Sequence, residues 1–384
     1  MLHPVLAATE AALGASLEHH GELELLDLPR RTLLVSRGER APSPDTPWLV
    51  ATVATAEQTA AQSEVLVTGA GRVAFDAALW TCARANGSAI VALSHAPRTD
   101  AEWRSFLPAR HLLVWPRHQA QHLSERHQRD LLMGWLADRA HAIYVRKKGH
   151  MAELMALLAR RRCAIEQWPE LPGAGRAARQ HRGPQLSLPR SSVYVHTSWN
   201  CLTHFTREPD GAWPGESRAE YLRWLCSGAP YVPRNAFATL CRILQEKRVR
   251  ACGRLMPGST PMVCFTAASP REILLLREWR RGLLRWSFTP YGLAVRAEAL
   301  ARYGAQPVQY ASRAAIAHAP PGTRRFMQHQ RSRSHDWSEE EEWRVAGDVD
   351  LSAFAISDML ALVATPEEAR HVEDVFGISA QLIA

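Results

Sequence analysis

The stretch that most constrains the fold begins at Val65-Leu-Val-Thr68, turns at Gly69-Ala-Gly71, and continues as the apolar run Ala74 to Ala85. The first piece has strand composition. The run after the glycines has helical length and ends at Asn86-Gly87, and Ala89 to Leu93 supplies a second strand. A strand–helix–strand unit of this size pairs its strands in parallel, and such a sheet needs both faces covered. Around it, Arg31 to Ser36, Trp48 to Val53, His111 to Trp115 and Ala142 to Val145 read as strands. Pro4 to Glu18, Arg129 to Arg139 and Met151 to Arg162 read as helices. Residues 1–168 are therefore expected to form an α/β domain around a parallel sheet.

Two turns in this domain have the chemistry to hold a phosphate. Gly69 and Gly71 let the backbone turn tightly into a helix N-terminus, whose free N–H groups attract an anion. Ala74 takes the place of the third glycine of the dinucleotide fingerprint. The next strand ends at His95, where a ribose-binding acid would be expected. In the second turn, Val145-Arg-Lys-Lys-Gly-His150, Lys147 and Lys148 stand before another helix start. Either turn also reads as an ordinary strand-to-helix connection. This arrangement resembles Rossmann-like nucleotide-sensing domains of the lysine-decarboxylase-like and DNA-processing type, and the resemblance implies a nucleotide ligand. Arg146 to Lys148 and Arg160 to Arg162 lie close in sequence and suggest a basic surface for nucleic acid. His118, His122 and His127 bracket one polar helical segment; His118 and His122 have metal-ligand spacing but no carboxylate completes a site, so a solvated helix is the reading.

A chain of 384 residues is long for one domain. Residues 169–190, rich in proline, glycine and arginine, read as a linker, which leaves 191–384 as a second domain. The net charge of +8 favours a phosphate-bearing partner, and no half of the chain is basic enough to be a dedicated nucleic-acid domain. The seven cysteines include no Cys-x-x-Cys, which argues against a disulfide framework or structural zinc. No apolar run reaches membrane-spanning length, and the N-terminus lacks a basic-then-apolar leader, so a cytoplasmic location without membrane contact is expected.

In the second half, Leu202 to Arg207, Met262 to Thr266, Val308 to Tyr310, Leu360 to Ala364 and Ala380 to Ile383 read as strands. Helices are expected over Glu220 to Cys226, Ala236 to Glu246 and Pro366 to Val375, giving an α+β domain. Five blocks appear in order: Leu202-Thr-His-Phe-Thr-Arg207, Val263-Cys-Phe-Thr266, Pro290-Tyr-Gly-Leu-Ala-Val295, Gly304-Ala-Gln-Pro-Val308 and Asp336-Trp-Ser-Glu-Glu-Glu-Glu-Trp-Arg344. Over roughly residues 195–350 they resemble a bacterial family of unassigned activity, some of whose members are linked to abortive infection against phage. Its block order is similar to the ADP-ribosyltransferase fold.

That resemblance implies an NAD-using effector in phage defence that transfers ADP-ribose to a nucleic-acid or protein target, or hydrolyses NAD. Such chemistry needs a carboxylate beside an oxocarbenium-like ribose. By this resemblance His204 orients the nicotinamide ribose, Tyr291 stacks on nicotinamide, and Glu342 with Glu340 supplies the carboxylate. Thr206 and Thr266 support them, and Arg207 pairs with the pyrophosphate.

Plainer readings stand beside each of these. Ser338 and Glu341 have the spacing of a capping box. An extended Glu342-Trp-Arg344 puts Arg344 beside Glu342 as a structural ion pair, and a histidine such as His204 is more often a satisfied core residue than a catalytic one. A non-catalytic nucleotide- or nucleic-acid-binding protein, or a subunit of a larger assembly or homo-oligomer, is the alternative function.

Overall fold

The computed structural model describes residues 3–36, 42–118, 123–168, 199–209, 211–227, 233–253, 256, 260–277, 279–280, 285–330 and 336–383. Contacts divide the chain into two α/β units: Met1–Arg182 with Glu216–Tyr231, and Gly183–Gly215 with Val232–Ala384. Residues 216–227 thus group with the first unit. The expected linker, residues 169–190, lies outside the described residues.

Unit 1 is built on a seven-stranded sheet ordered β1-β5-β4-β3-β2-β6-β7. The strands are β1 (Leu17–Gly21), β2 (Arg30–Val35), β3 (Val65–Thr68), β4 (Ser88–Ala92), β5 (Arg110–Pro116), β6 (Arg139–Tyr144) and β7 (Ala164–Gln167). All are parallel except β1, which closes one edge antiparallel to β5. The helices are α1 (Pro4–Leu13), α2 (Pro47–Ala61), α3 (Val73–Arg84), α4 (Glu125–Leu136) and α5 (His150–Arg160). Leu6, Leu132, Met133, Leu154 and Leu158 of α1, α4 and α5 bury Val65, Val67, Ile90, Leu112 and Val114 in one core. The chain steps outward from β2 to β5, then returns through α4 to place β6 on the other side of β2. Strand order therefore reverses between β2 and β6, and in open α/β sheets the C-terminal ends at such a reversal are where a ligand crevice forms.

One expected strand is a helix. Trp48 to Val53 lies in α2, started by Pro47 in the first turn. Thr52, Thr55 and Thr59 of this helix each donate their hydroxyl to the carbonyl four residues back. That satisfies a buried polar group inside a helix, so β propensity loses to tertiary context. The edge strands β1 and β7 escape the sequence reading because His19-His20 and Glu166-Gln167 are polar and exposed.

Unit 2 carries a second seven-stranded sheet, ordered Gln306–Pro307, Glu342–Ala346, Met262–Thr266, Cys201–Phe205, Gly292–Arg296, Met359–Val363 and Ala380–Leu382. Its pairings are antiparallel except the last. One face packs Leu202, Val263, Phe265, Leu293 and Val345 against Leu240, Ile243, Leu244, Leu300 and Val372 of three helices. The other face carries a smaller cluster of Phe205, Ala268, Ile273, Phe288 and Leu362.

Candidate functional site

In unit 2, strand register decides which of the expected residues meet. Glu342 pairs with Thr266, and Thr266 with Thr203. Directly paired residues share a face and neighbours along a strand alternate, so Glu342, Thr266 and Thr203 lie on one side and His204 on the other. Tyr291 precedes Gly292, the partner of Phe205, and falls on the His204 side. The sheet therefore separates Glu342 from His204 and Tyr291.

His204, Tyr291, Thr206 and Thr266 are already engaged. His204 Nδ1 is 2.8 Å from the Cys264 carbonyl and its ring meets Phe265 edge-on, while burial pushes its pKa down. The Tyr291 hydroxyl donates to Glu368, and burial pushes it up. Thr206 donates to the Ala236 carbonyl and Thr266 to the Glu340 carbonyl. Arg207 is exposed. Trp337–Glu340 forms a short 3-10 turn capped by Asp336, and the left-handed Glu341 (φ 42°) ends it. The expected capping box between Ser338 and Glu341 is therefore absent, and Glu340 belongs to the turn while Glu342 opens a strand.

In unit 1 both expected phosphate turns rise from the C-terminal edge of the sheet, one on each side of β2. Their geometries differ. Gly69 is a glycine because a Cβ there would stand 2.8 Å from the Phe75 ring and 3.2 Å from Arg129 Cδ. Gly71 adopts φ +80°. Its N–H donates to Asp76 Oδ1 at 2.7 Å, and Arg218 donates to Oδ2 at 2.7 Å. Burial pushes the Asp76 carboxyl up, opposed by Arg218 and the Gly71 amide. A carboxylate of the chain itself thus occupies the first turn of α3, where a phosphate on this amide would sit.

The β6–α5 turn is open. Gly149 (φ 110°) caps α5 with no side-chain hydrogen bond. Arg146, Lys147, Lys148 and Gly149 are exposed. Among the described residues, neither lysine has an ion-pair partner. The turn is pinned beside β2, since Ser36 donates its N–H to the Tyr144 carbonyl and the Arg146 N–H donates to Ser36 Oγ at 3.0 Å. Arg160 to Arg162 do not extend this patch. They lie at the far end of α5, about 15 Å away at 1.5 Å per residue, and Arg161 donates to the carbonyls of Gly134 and Ala137.

Between the two turns stands a cluster that the sequence did not suggest. Arg129 binds Asp130 Oδ1 through Nη2 at 2.6 Å and Nε at 3.0 Å. Asp130 Oδ2 lies 4.0 Å from Arg72 Nη1 on the glycine turn and 3.5 Å from His150 Nδ1 at the start of α5. His150 stacks on His127 with ring centroids 4.6 Å apart, and His127 Nε2 is 2.9 Å from Glu153. Sequence distance hid the cluster, because α3, α4 and α5 each contribute to it. Among the described residues no group of three or more ligands suits a metal, and His122 lies outside them.

No protein-family model and no curated protein sequence matches the chain. Solved structures similar to part of it include the following two. One is DNA processing protein A from Streptococcus pneumoniae, at 15% identity and TM-score 0.34, covering 41% of this chain and 56% of that one. The other is DNA processing protein A from Helicobacter pylori, described for its single-stranded DNA binding mode, at 16% identity and TM-score 0.32, covering 41% and 73%. Likeness at these values carries no argument about what this chain binds. Among the described residues no helix is long and apolar enough to cross a membrane.

Proposed function

We propose that unit 1 is a non-catalytic binding module for a nucleotide phosphate, seated at the β6–α5 turn. The observation that supports this most is the position of that turn. An uncapped helix start, with Arg146, Lys147 and Lys148 exposed beside it, stands at the crevice where strand order reverses. Open α/β sheets bind ligands there because the loops diverge and leave room, while backbone N–H groups and cations converge on an anion. The phosphate comes from a free nucleotide or from a nucleic-acid strand.

Titration with ribonucleoside triphosphates and, separately, with a single-stranded oligonucleotide distinguishes the two sources. Binding that weakens with salt, and weakens further in a Lys147→Ala/Lys148→Ala variant, is the expected result. Equal binding by the variant removes the reading.

The second reading is an NAD-using ADP-ribosyltransferase-like effector, and it rests on the five sequence blocks. It stands second because its three central residues lie on opposite faces of one sheet. NAD turnover by the wild-type protein that is lost in a correctly folded Glu342→Gln variant would reverse that order.

A further inference from the structure

Asp130 is a carboxylate with 1% of its side chain exposed. Its Oδ1 is satisfied by two Arg129 donors, but Oδ2 accepts no hydrogen bond from any described residue. Two further nitrogens near it, Arg72 Nη1 and His150 Nδ1, are too distant or too poorly aligned to donate. A buried charged oxygen without a donor is costly, and folded proteins seldom leave one unmatched by a neighbour, water or ligand. The cover over it is light, because the Arg72 and His150 side chains are 35% and 40% exposed. Both belong to the turns that flank the crevice.

The atom asks for a donor, which a phosphate lacks. Hydroxyl groups of a sugar meet that need, and every ribonucleotide carries them beside its phosphate. The usual supplier of this contact in related folds, an acid about 20 residues beyond the glycine turn, is missing: His95 stands there, exposed and 3.0 Å from the Ala96 carbonyl. We propose that Asp130 Oδ2 accepts a hydrogen bond from a ribose hydroxyl of the bound nucleotide, so that the site selects ribonucleotides. The proposal rests on the nucleotide reading of unit 1. The phosphate would sit on the Lys147–Lys148 side and the sugar on the α4 side, with Arg72 and His150 moving aside.

The test is calorimetric titration of the full chain with the four ribonucleoside triphosphates and their 2′,3′-dideoxy counterparts. Dideoxy ligands are expected to bind about ten- to a hundredfold more weakly, the range for a hydrogen bond to a charged group. In Asp130→Asn the ribo-to-dideoxy ratio should fall toward one while dideoxy affinity is retained. Equal affinities in the wild type overturn the role of Asp130 and leave the phosphate site standing. Failure of all eight ligands overturns the proposal together with the free-nucleotide source of the phosphate, and the oligonucleotide titration then decides the phosphate site. If Asp130→Asn does not fold, the wild-type ratio alone decides.

Discussion

Arg344 and Glu342, two residues apart on one strand, form a two-pronged ion pair. Nε meets Oε1 and Nη2 meets Oε2, each at 2.9 Å, with the arginine side chain 1% exposed. The remaining guanidinium protons go to the carbonyls of Arg325 and Met327 and to Gln328 Oε1, so all five are used. Glu342 is then the counter-ion that makes this buried cation tolerable. Glu342→Gln should cost roughly 2–4 kcal/mol, near the range for breaking a buried pair. Chemical denaturation checks this, and a variant as stable as the wild type would free Glu342 for another role.

The β6–α5 turn gives a charge prediction. Lys147 and Lys148 are exposed, so replacing both with alanine should leave thermal stability within about 0.5 kcal/mol. Ligand affinity should fall, and the slope of log affinity against log salt should shrink by one to two units. A stability loss with unchanged salt slope would make the lysines structural.

How far the sequence carried this picture depended on where each signal was local. Val65 to Leu93 revealed its strand–turn–helix–strand form because glycines and apolar runs punctuate it. The Glu342 strand was legible from Trp343-Arg-Val, and so was its pairing with Arg344. Which face His204 takes was not legible, since that depends on cross-strand register with Thr266 and Leu293 across dozens of residues. Gly71 looked like a phosphate cradle because the motif does not show that Asp76 takes its amide. The cluster of Asp130, Arg72, His127 and His150 comes from three helix starts that only the sheet brings together.

Gly134 explains how α4 and α5 come to lie side by side at that edge. A Cβ at Gly134 would overlap Leu154 Cδ1 and stand 3.1 Å from Leu157 Cδ2, both in the core. Alanine is worth about 1 kcal/mol over glycine in a helix, but overpacking costs about 1–3 kcal/mol. Gly134→Ala should therefore lower stability slightly, splay the two helix starts and weaken nucleotide binding. Unchanged melting and affinity together would show that the helices have slack.

The pH dependence of unit 2 should follow His204. Burial holds its pKa below the ordinary 6.5, with Arg207 adding to this and the hydrogen bond to Cys264 opposing it. Below pH 6.5 the unfolded chain takes up a proton that the folded chain resists. Stability is thus fully present above 6.5 and is lost as pH falls toward the folded value. His141 on β6, also held low chiefly by burial, gives unit 1 the same sign. Hydrogen exchange at the amides of Met262–Thr266 isolates the His204 contribution. Those amides should lose protection between pH 7.5 and 5.5, and His204→Gln should lose less over the same interval. An equal loss in the variant would assign the acid sensitivity to other groups.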